Sequence, residues 1–192
     1  QADEIAVVAS ASEGFSKANI NASIAESIER FKPILQAAAA INLPVRGYVS
    51  CVTDCPFDGA TDPEQVALVA ETLHLMGCYE VSLGDTIGQG RPETISKMLS
   101  AVTKRVPVAQ LAGHYHDTAG RALVNIEASL QQGVRVFDAA VGGLGGCPYA
   151  PGAAGNVATE VVHDHLTALG YETGLDPAVL GRAAEMARAM RG

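Results

Sequence analysis

Five short runs of β-branched and apolar residues, separated by helix-like segments, constrain the fold of this chain most. The runs cover residues 4–9, 45–52, 79–83, 109–116 and 134–141, and their first residues are roughly 25 to 40 apart. Between them, apolar residues recur at helical spacing, as in Val66, Val69, Ala70 and Leu73. Strands that alternate with helices at this spacing predict a parallel sheet covered by helices, so the class is α/β.

Two helix starts are marked by the same pair of residues. Asp62 precedes Pro63, and Asp176 precedes Pro177. An Asp side chain caps the first free N–H groups of a helix, and Pro is favoured at the first helical position. The sequence therefore predicts helices that begin at Pro63 and at Pro177.

Polar residues follow the carboxyl ends of successive strand-like runs, as Ser50, Asp85, His114 and His116 do. A (β/α)8 TIM barrel carries its chemistry on that rim. A flavodoxin-like open sheet, which also has five strands, is the alternative architecture. A full barrel needs about 250 residues. The 192 residues are therefore expected to form a single domain, a partial barrel made of the last five βα units plus C-terminal helices.

The beginning of the sequence also indicates a partial barrel. It starts Gln1-Ala2-Asp3 without an initiator Met and enters a strand-like run almost at once. We therefore expect a piece of a longer chain, with about three preceding βα units absent from the given sequence.

Composition excludes several classes of protein. Hydrophobic residues make up 48% and charged residues 18%, which is typical of a globular protein with a substantial core. The 13 Lys and Arg against 21 Asp and Glu give a net charge of -8, which argues against a nucleic-acid partner. The apolar stretches are shorter than the roughly 18 residues of a membrane span. No membrane association and no secretory leader are expected.

Cysteine usage indicates the compartment. The four cysteines are scattered rather than arranged as a disulfide framework, so we expect a reduced, cytoplasmic setting. Cys51 and Cys55 have no second Cys or His pair of zinc type and are predicted to be reduced thiols near a strand end.

The segment Leu111-Ala112-Gly113-His114-Tyr115-His116-Asp117-Thr118 is the most informative motif. Side chains two apart on a strand point to the same side, about 6 to 7 Å apart at the backbone, so both imidazoles can share one cation. Asp117 is placed to orient one of them. The alternative is a pair of hydrogen-bonded core histidines. His163 and His165, two apart on a helix, do not face each other and are predicted to lie at the surface.

A glycine-rich segment follows the last strand, from Gly142 through Gly146 to Cys147. Glycines let the backbone approach a ligand and let a loop move, so this segment is predicted to be a lid or clamp. The Cys147 thiol is placed there to act as an acid or base, although a single cysteine is also a common buried apolar residue. Asn156, nine residues on, offers either an amide oxygen for a hard cation or a helix cap.

Asp85 ends the third strand-like run, in Ser82-Leu83-Gly84-Asp85-Thr86. A carboxylate at that point accepts a substrate hydroxyl or acts as a base, and its alternative role is to cap the next helix. Together Asp85 and Ser82 are the predicted substrate-contacting residues.

Four stretches resemble the 3-hydroxy-3-methylglutaryl-CoA lyases, a family of DRE-TIM metallolyases. They read RGYVSCVTDCPFDG, GCYEVSLGDTIGQG, GHYHDTAGRALVN and GLGGCPYAPGAAGN, and the similarity covers essentially all 192 residues. GLGGCPYA is the most specific stretch, because related synthases and aldolases share the His-x-His strand but generally lack this cysteine loop. The family's first strand carries an Arg-Asp-Gly motif that occurs nowhere in this sequence, which agrees with the expectation of a fragment.

The resemblance implies that His114, His116 and Asn156 bind one divalent cation, Mg²⁺ or Mn²⁺. It also implies that Cys147 is the catalytic cysteine and that Asp85 contacts substrate near the metal. The implied reaction is retro-Claisen cleavage of the acyl-CoA substrate to acetyl-CoA and acetoacetate, with His114 or Asp85 taking the hydroxyl proton. It further implies a homo-oligomer, a dimer, and the mitochondrial matrix if the source is a eukaryote.

Two alternatives to this function stay open. A different acyl-CoA or keto-acid lyase, aldolase or synthase would use the same scaffold. A catalytically silent barrel that binds a partner would have no need for a convergent set of His114, His116 and Asn156.

Overall fold

A computed structural model describes residues 2–146 and 155–190. In chain order the strands and helices are β1 (Ile5–Ser10), α1 (Glu13–Ile20), α2 (Ile24–Ala40), β2 (Val45–Ser50), β3 (Asp54–Cys55), β4 (Gly59–Ala60), α3 (Pro63–Leu75), β5 (Val81–Asp85), α4 (Pro92–Val102), β6 (Leu111–Tyr115), α5 (Ala122–Gln131), β7 (Val136–Asp138), α6 (Thr159–Ala168) and α7 (Pro177–Ala189). All five predicted strands are present, so the predicted α/β class is confirmed.

The main sheet has five strands in the order β1-β2-β5-β6-β7, and every neighbouring pair is parallel. Each new strand is added on the same side of the previous one. A doubly wound open sheet reverses its strand order at a switch point, and this sheet does not. The winding is that of a TIM barrel, and the flavodoxin-like alternative is wrong. Among the described residues, β1 pairs on one side only, as five units of a barrel require.

The two faces of the sheet differ in chemistry because side chains alternate along each strand. One face carries Val7, Val49, Leu83 and Tyr115, which are buried against the helices in a single large core. The partner residues from α3, α4 and α5 include Leu73, Ile95, Leu99 and Ile126, all with no more than 1% exposure. Burial of this apolar face holds the strands in register, which fixes the position of the other, polar face.

Both predicted helix starts are confirmed. Asp62 precedes α3 and accepts a hydrogen bond from the N–H of Glu64 at 3.1 Å. Asp176 precedes α7 and accepts from the N–H groups of Ala178 and Val179. None of the helices formed by residues 2–146 and 155–190 is both long and apolar enough to cross a membrane.

Candidate active site

The polar face of the sheet brings five functional side chains together. Arg46 and Tyr48 come from β2, Ser82 from β5, His114 from β6 and Asp138 from β7. The register places Tyr48 beside Ser82, and His114 beside Asp138. The four strands are far apart in the sequence, and only strand pairing makes these side chains neighbours.

His114 and His116 turn their imidazoles toward each other. Their Nε2 atoms are 3.3 Å apart, and the ring centroids are 5.3 Å apart. The convergence predicted from their spacing is therefore present, whereas cation binding itself stays a prediction. His116 is buried, and its Nδ1 atom has no hydrogen-bond partner among the described residues.

His116 is held in its neutral form. Burial, followed by the nearby His114 ring, lowers the pKa of His116 to about 4. A neutral imidazole has a free lone pair on one nitrogen, which is the state a metal ion requires.

Asn156 lies next to this pair. It forms an isolated antiparallel bridge with His116, and its side chain also interacts with that imidazole. Its amide nitrogen donates to the carbonyl oxygen of Leu144 at 3.0 Å, so the amide oxygen is the group left for a ligand. Gly145 allows this approach, because it has φ +88° and a β carbon there would lie 2.7 Å from the Asn156 amide nitrogen.

These three residues fit a divalent cation. Two nitrogens 3.3 Å apart can both lie about 2.1 Å from one point, the usual metal–nitrogen distance. Two imidazoles and an amide oxygen suit Mn²⁺ and similar ions. The described residues contain no cluster of three or more His, Cys, Asp or Glu side chains that would hold a metal. The set is therefore two histidines and an amide, which leaves further positions for oxygen ligands.

Asp138 contacts three other side chains of the site, and sequence reasoning missed it. Its Oδ1 accepts from Arg46 Nη1 at 2.8 Å, and its Oδ2 accepts from Ser82 Oγ at 2.7 Å. The Nδ1 atom of His114 lies 3.3 Å from the same Oδ2. Burial alone would raise the pKa of Asp138, but the hydrogen bonds from His114, Ser82 and Arg46 lower it below its ordinary value.

Ser82 and Asp85 lie deeper than a substrate-contacting role suggests. Ser82 has no exposed surface and donates its hydroxyl to Asp138. Asp85 also has no exposed surface, and its carboxylate accepts from Thr53 Oγ1, from the N–H of Gln89 and from the N–H of Gly90. Burial raises the pKa of Asp85 despite these three hydrogen bonds. The substrate contacts predicted for both residues stay predictions.

A pocket of about 300 Å³ opens in front of the imidazoles. Its lining includes Tyr48, Ser50, Thr86, His114, His116 and Gly146. Predicted catalytic residue Cys147 lies outside the described residues, directly after Gly146. The pocket is therefore bounded by the strand ends on one side and by Gly146 of the glycine-rich segment on the other.

The structure confirms some of the remaining sequence predictions and contradicts one. Cys51 and Cys55 are free thiols buried beside Phe15, as expected for reduced cysteines. His165 pairs with Glu127 at 2.8 Å and is partly exposed. The predicted surface position of His163 is wrong: it is 9% exposed, and its Nδ1 lies 2.6 Å from Thr173 Oγ1, because α6 turns that side toward the chain that follows.

A singly wound parallel sheet with an imidazole pair at its carboxyl edge defines a barrel-type α/β protein with a candidate cation site. A protein-family model described as HMGL-like matches residues 1–187. The chain belongs to the HMGL-like family, and the resemblance seen in its sequence is confirmed.

Individual relatives agree with this assignment. The chain is 59% identical over 173 residues to hydroxymethylglutaryl-CoA lyase of Pseudomonas mevalonii, covering 90% of this chain and 58% of that protein. It is 58% identical, with the same coverage, to a 3-hydroxy-3-isohexenylglutaryl-CoA/hydroxymethylglutaryl-CoA lyase of Pseudomonas aeruginosa. The crystal structure of the HMG-CoA lyase of Brucella melitensis matches with a TM-score of 0.97 and 60% identity, covering 99% of this chain and 67% of that one.

The chain thus spans less than two thirds of the length of the curated relatives that it matches. Membership of the TIM-barrel family and the α/β fold are established for the residues of this chain.

Proposed function

We propose that the protein is a divalent-metal-dependent carbon–carbon lyase that cleaves 3-hydroxy-3-methylglutaryl-CoA to acetyl-CoA and acetoacetate. One observation carries the proposal. In a chain of the HMGL-like family, His114 and His116 direct their Nε2 atoms toward a common point beside Asn156. The names of the P. mevalonii and P. aeruginosa relatives supply the substrate class.

The chemistry of the reaction defines what the site must do. The C2–C3 bond breaks, and its electron pair moves to the carbon next to the thioester. The tertiary hydroxyl loses its proton and becomes the ketone of acetoacetate, while the new carbanion takes a proton and becomes acetyl-CoA. The site must therefore bind the hydroxyl, accept one proton and supply another.

His114, His116 and Asn156 would hold the cation, Mg²⁺ or Mn²⁺. When bound, the cation supplies Lewis acidity toward the substrate's hydroxyl and carboxylate oxygens. The two ring nitrogens of His114 are both engaged, one toward Asp138 and one toward His116. We therefore assign His114 to cation binding, and we assign the hydroxyl proton to Asp85, the other residue that the family resemblance implies as its acceptor.

Asp85 is also proposed to hold a loop. Its two carboxylate oxygens accept from the N–H groups of Gln89 and Gly90, which lie in the segment between β5 and α4. Thr86, at the start of that segment, lines the pocket and accepts from the N–H of Cys51 at 2.8 Å. Asp85 thus sets the position of a pocket wall.

Cys147 is proposed to donate the proton that completes acetyl-CoA. The support is its place directly after Gly146, which lines the pocket, in the GLGGCPYA stretch that marks this family. A thiol is a better proton donor near neutral pH than a hydroxyl, because its pKa is far lower.

The experiment is a product assay with the purified protein. 3-Hydroxy-3-methylglutaryl-CoA is supplied with Mg²⁺ or Mn²⁺, and acetoacetate and acetyl-CoA are quantified over time. We expect the two products in equal amounts, formation that stops on chelation, and recovery when metal is restored. Tight Mn²⁺ binding without either product would contradict the lyase proposal.

A second substrate has specific support from the P. aeruginosa relative, whose name includes 3-hydroxy-3-isohexenylglutaryl-CoA. The same assay is therefore run with that longer acyl-CoA. Faster cleavage of the longer substrate would assign the protein to that activity. The Tyr48 and Val8 side chains that line the pocket would then face the extra apolar chain.

We also propose that the described residues form one domain. A single core cluster runs from Val7 to Val162, which supports cooperative behaviour. Coincident unfolding transitions by circular dichroism and by tyrosine fluorescence are expected. Two separated transitions would contradict a single domain.

A homodimer is part of the proposal. Helix α7 and the Met190 that caps it present Val179, Met186 and Met190 to solvent at i, i+7 and i+11, which places them on one face. An exposed apolar face of this kind is typical of an interface. Light scattering at micromolar concentration is expected to give twice the monomer mass, and Met186→Lys is expected to lower it.

A further inference from the structure

The carboxylate of Asp138 collects donors from three different strands. Arg46 on β2, Ser82 on β5 and His114 on β6 all point at it. Asp138 is the last residue of β7, and the sheet register places it directly beside His114. The contact with His114 therefore follows from the backbone pairing and does not depend on a flexible loop.

Arg46 is itself held from two further directions. Its Nε donates to Glu80 Oε1 at 2.8 Å, and its Nη1 donates to Tyr48 Oη at 2.5 Å. The guanidinium carbon also lies 5.0 Å from the Tyr48 ring centroid. A guanidinium fixed in this way keeps its partner carboxylate charged, and a charged carboxylate only accepts hydrogen bonds.

An acceptor next to Nδ1 of His114 requires a proton on that nitrogen. In the neutral ring the lone pair is then on Nε2, the atom that faces His116. Metal-binding histidines commonly have their other nitrogen hydrogen-bonded to a carboxylate, which fixes both the tautomer and the ring orientation.

We infer that Asp138 is a positioning residue that keeps His114 in its Nδ1-protonated form and aims its Nε2 lone pair into the cation site, with Arg46 and Ser82 fixing the carboxylate. The part of this inference that concerns cation binding rests on the proposed function. The part that concerns the His114 tautomer holds for the protein without a cation.

Asp138→Asn is the informative substitution. It keeps the size of the side chain but replaces one acceptor oxygen by a donor NH₂. Since both oxygens of Asp138 accept hydrogen bonds, the new NH₂ must oppose either Arg46 or the pair formed by Ser82 and His114. Glu127→Gln is the matched control, because it makes the same carboxylate-to-amide change 2.8 Å from a histidine of α6 that lies outside the site.

Two measurements test the inference. Long-range ¹H–¹⁵N NMR of the histidine rings reports the His114 tautomer without any metal, and titration with Mn²⁺ reports affinity. In the unsubstituted protein we expect the Nδ1-protonated form. In Asp138→Asn we expect loss of that preference and Mn²⁺ binding weakened about 10- to 100-fold. Glu127→Gln is expected to change neither result substantially.

The outcomes separate the two proposals. A His114 ring protonated mainly on Nε2 in the unsubstituted protein would overturn the inference, whether or not Asp138→Asn folds. Unchanged Mn²⁺ affinity in folded Asp138→Asn, or an equal loss in Glu127→Gln, would overturn it too. Absence of Mn²⁺ binding in the unsubstituted protein would refute the cation site and with it the proposed function, while the tautomer result would still decide the role of Asp138.

Discussion

The Nε2 atoms of His114 and His116 lie 3.3 Å apart at the carboxyl end of β6. Two lone pairs at this distance repel each other unless a proton or a cation lies between them. Burial and the His114 ring lower the pKa of His116 to about 4, so both disfavour the charged imidazolium form. In the proposed function, the group that lies between the two nitrogens is a divalent cation.

Replacing His116 by Ala tests this site directly. The substitution removes one of two imidazole donors, so Mn²⁺ affinity measured by calorimetry is expected to fall at least about 100-fold, more than an outer-shell change costs. His165→Ala is the matched control, since His165 lies on α6 and pairs with Glu127. Equal losses in the two variants would contradict the assignment.

Gly88 and Gly120 form a matched pair for the loop beside the site. Both have left-handed backbones, with φ +64° and +65°. A β carbon at Gly88 would lie 2.8 Å from Thr118 Cβ and 2.9 Å from the His116 carbonyl oxygen, whereas one at Gly120 would meet nothing within 4 Å. Ala at Gly120 is expected to cost about 1 to 2 kcal/mol of backbone strain.

Ala at Gly88 is expected to cost about 1 to 3 kcal/mol more, because the same strain is joined by overpacking. The free energies of unfolding are measured in urea. Gly88→Ala is also expected to lower kcat, since it displaces the backbone of His116, whereas Gly120→Ala leaves kcat unchanged. Equal destabilisation by the two substitutions would show that the Thr118 contact is relieved without cost.

Asp85 gives a prediction for pH. Its pKa is raised in the folded protein by burial, so the folded state holds that proton more tightly than the unfolded state does. Its contribution to stability is therefore fully present below the unfolded pKa, about 4, and is lost as the pH rises through the folded pKa. Asn at this position does not titrate.

The stability difference between the unsubstituted protein and Asp85→Asn should therefore shrink as the pH is raised from about 4 to 7. Asp85→Asn is still expected to be destabilised, by about 1 to 3 kcal/mol, because its NH₂ faces donors such as Gly90 N–H. Urea denaturation at four pH values measures this. A stability difference between the two proteins that grows with pH would contradict burial as the main influence on the pKa of Asp85.

Cys147→Ser tests the proposed proton donor. A serine hydroxyl has a much higher pKa than a thiol and nearly the same volume, so kcat is expected to fall strongly while Mn²⁺ affinity stays nearly unchanged. Loss of Mn²⁺ binding would instead make Cys147 a metal ligand. Unchanged kcat would return it to the role of an ordinary apolar residue.

The order of strands and helices could be predicted because the pattern that specifies it is local. Alternating apolar runs and helical spacing mark each unit, and pairs such as Asp62-Pro63 mark helix starts. The same locality explains why His114 and His116 were predicted to converge: residues two apart on any strand share a side. The predicted surface position of His163 is wrong because its burial depends on Thr173, in the segment that follows α6.

Local sequence patterns predict the α/β class, the five strands and the imidazole pair, since each depends on neighbours within a few residues. The partners of Asp138 follow only from the packed sheet, because its donors Arg46, Ser82 and His114 lie on three other strands. The packed sheet also decided that Asp85 is buried against the Gln89 and Gly90 backbone. Register across a parallel sheet is fixed by burial of its opposite, apolar face. The free energy of that burial is a sum over the whole core, so no single motif predicts it.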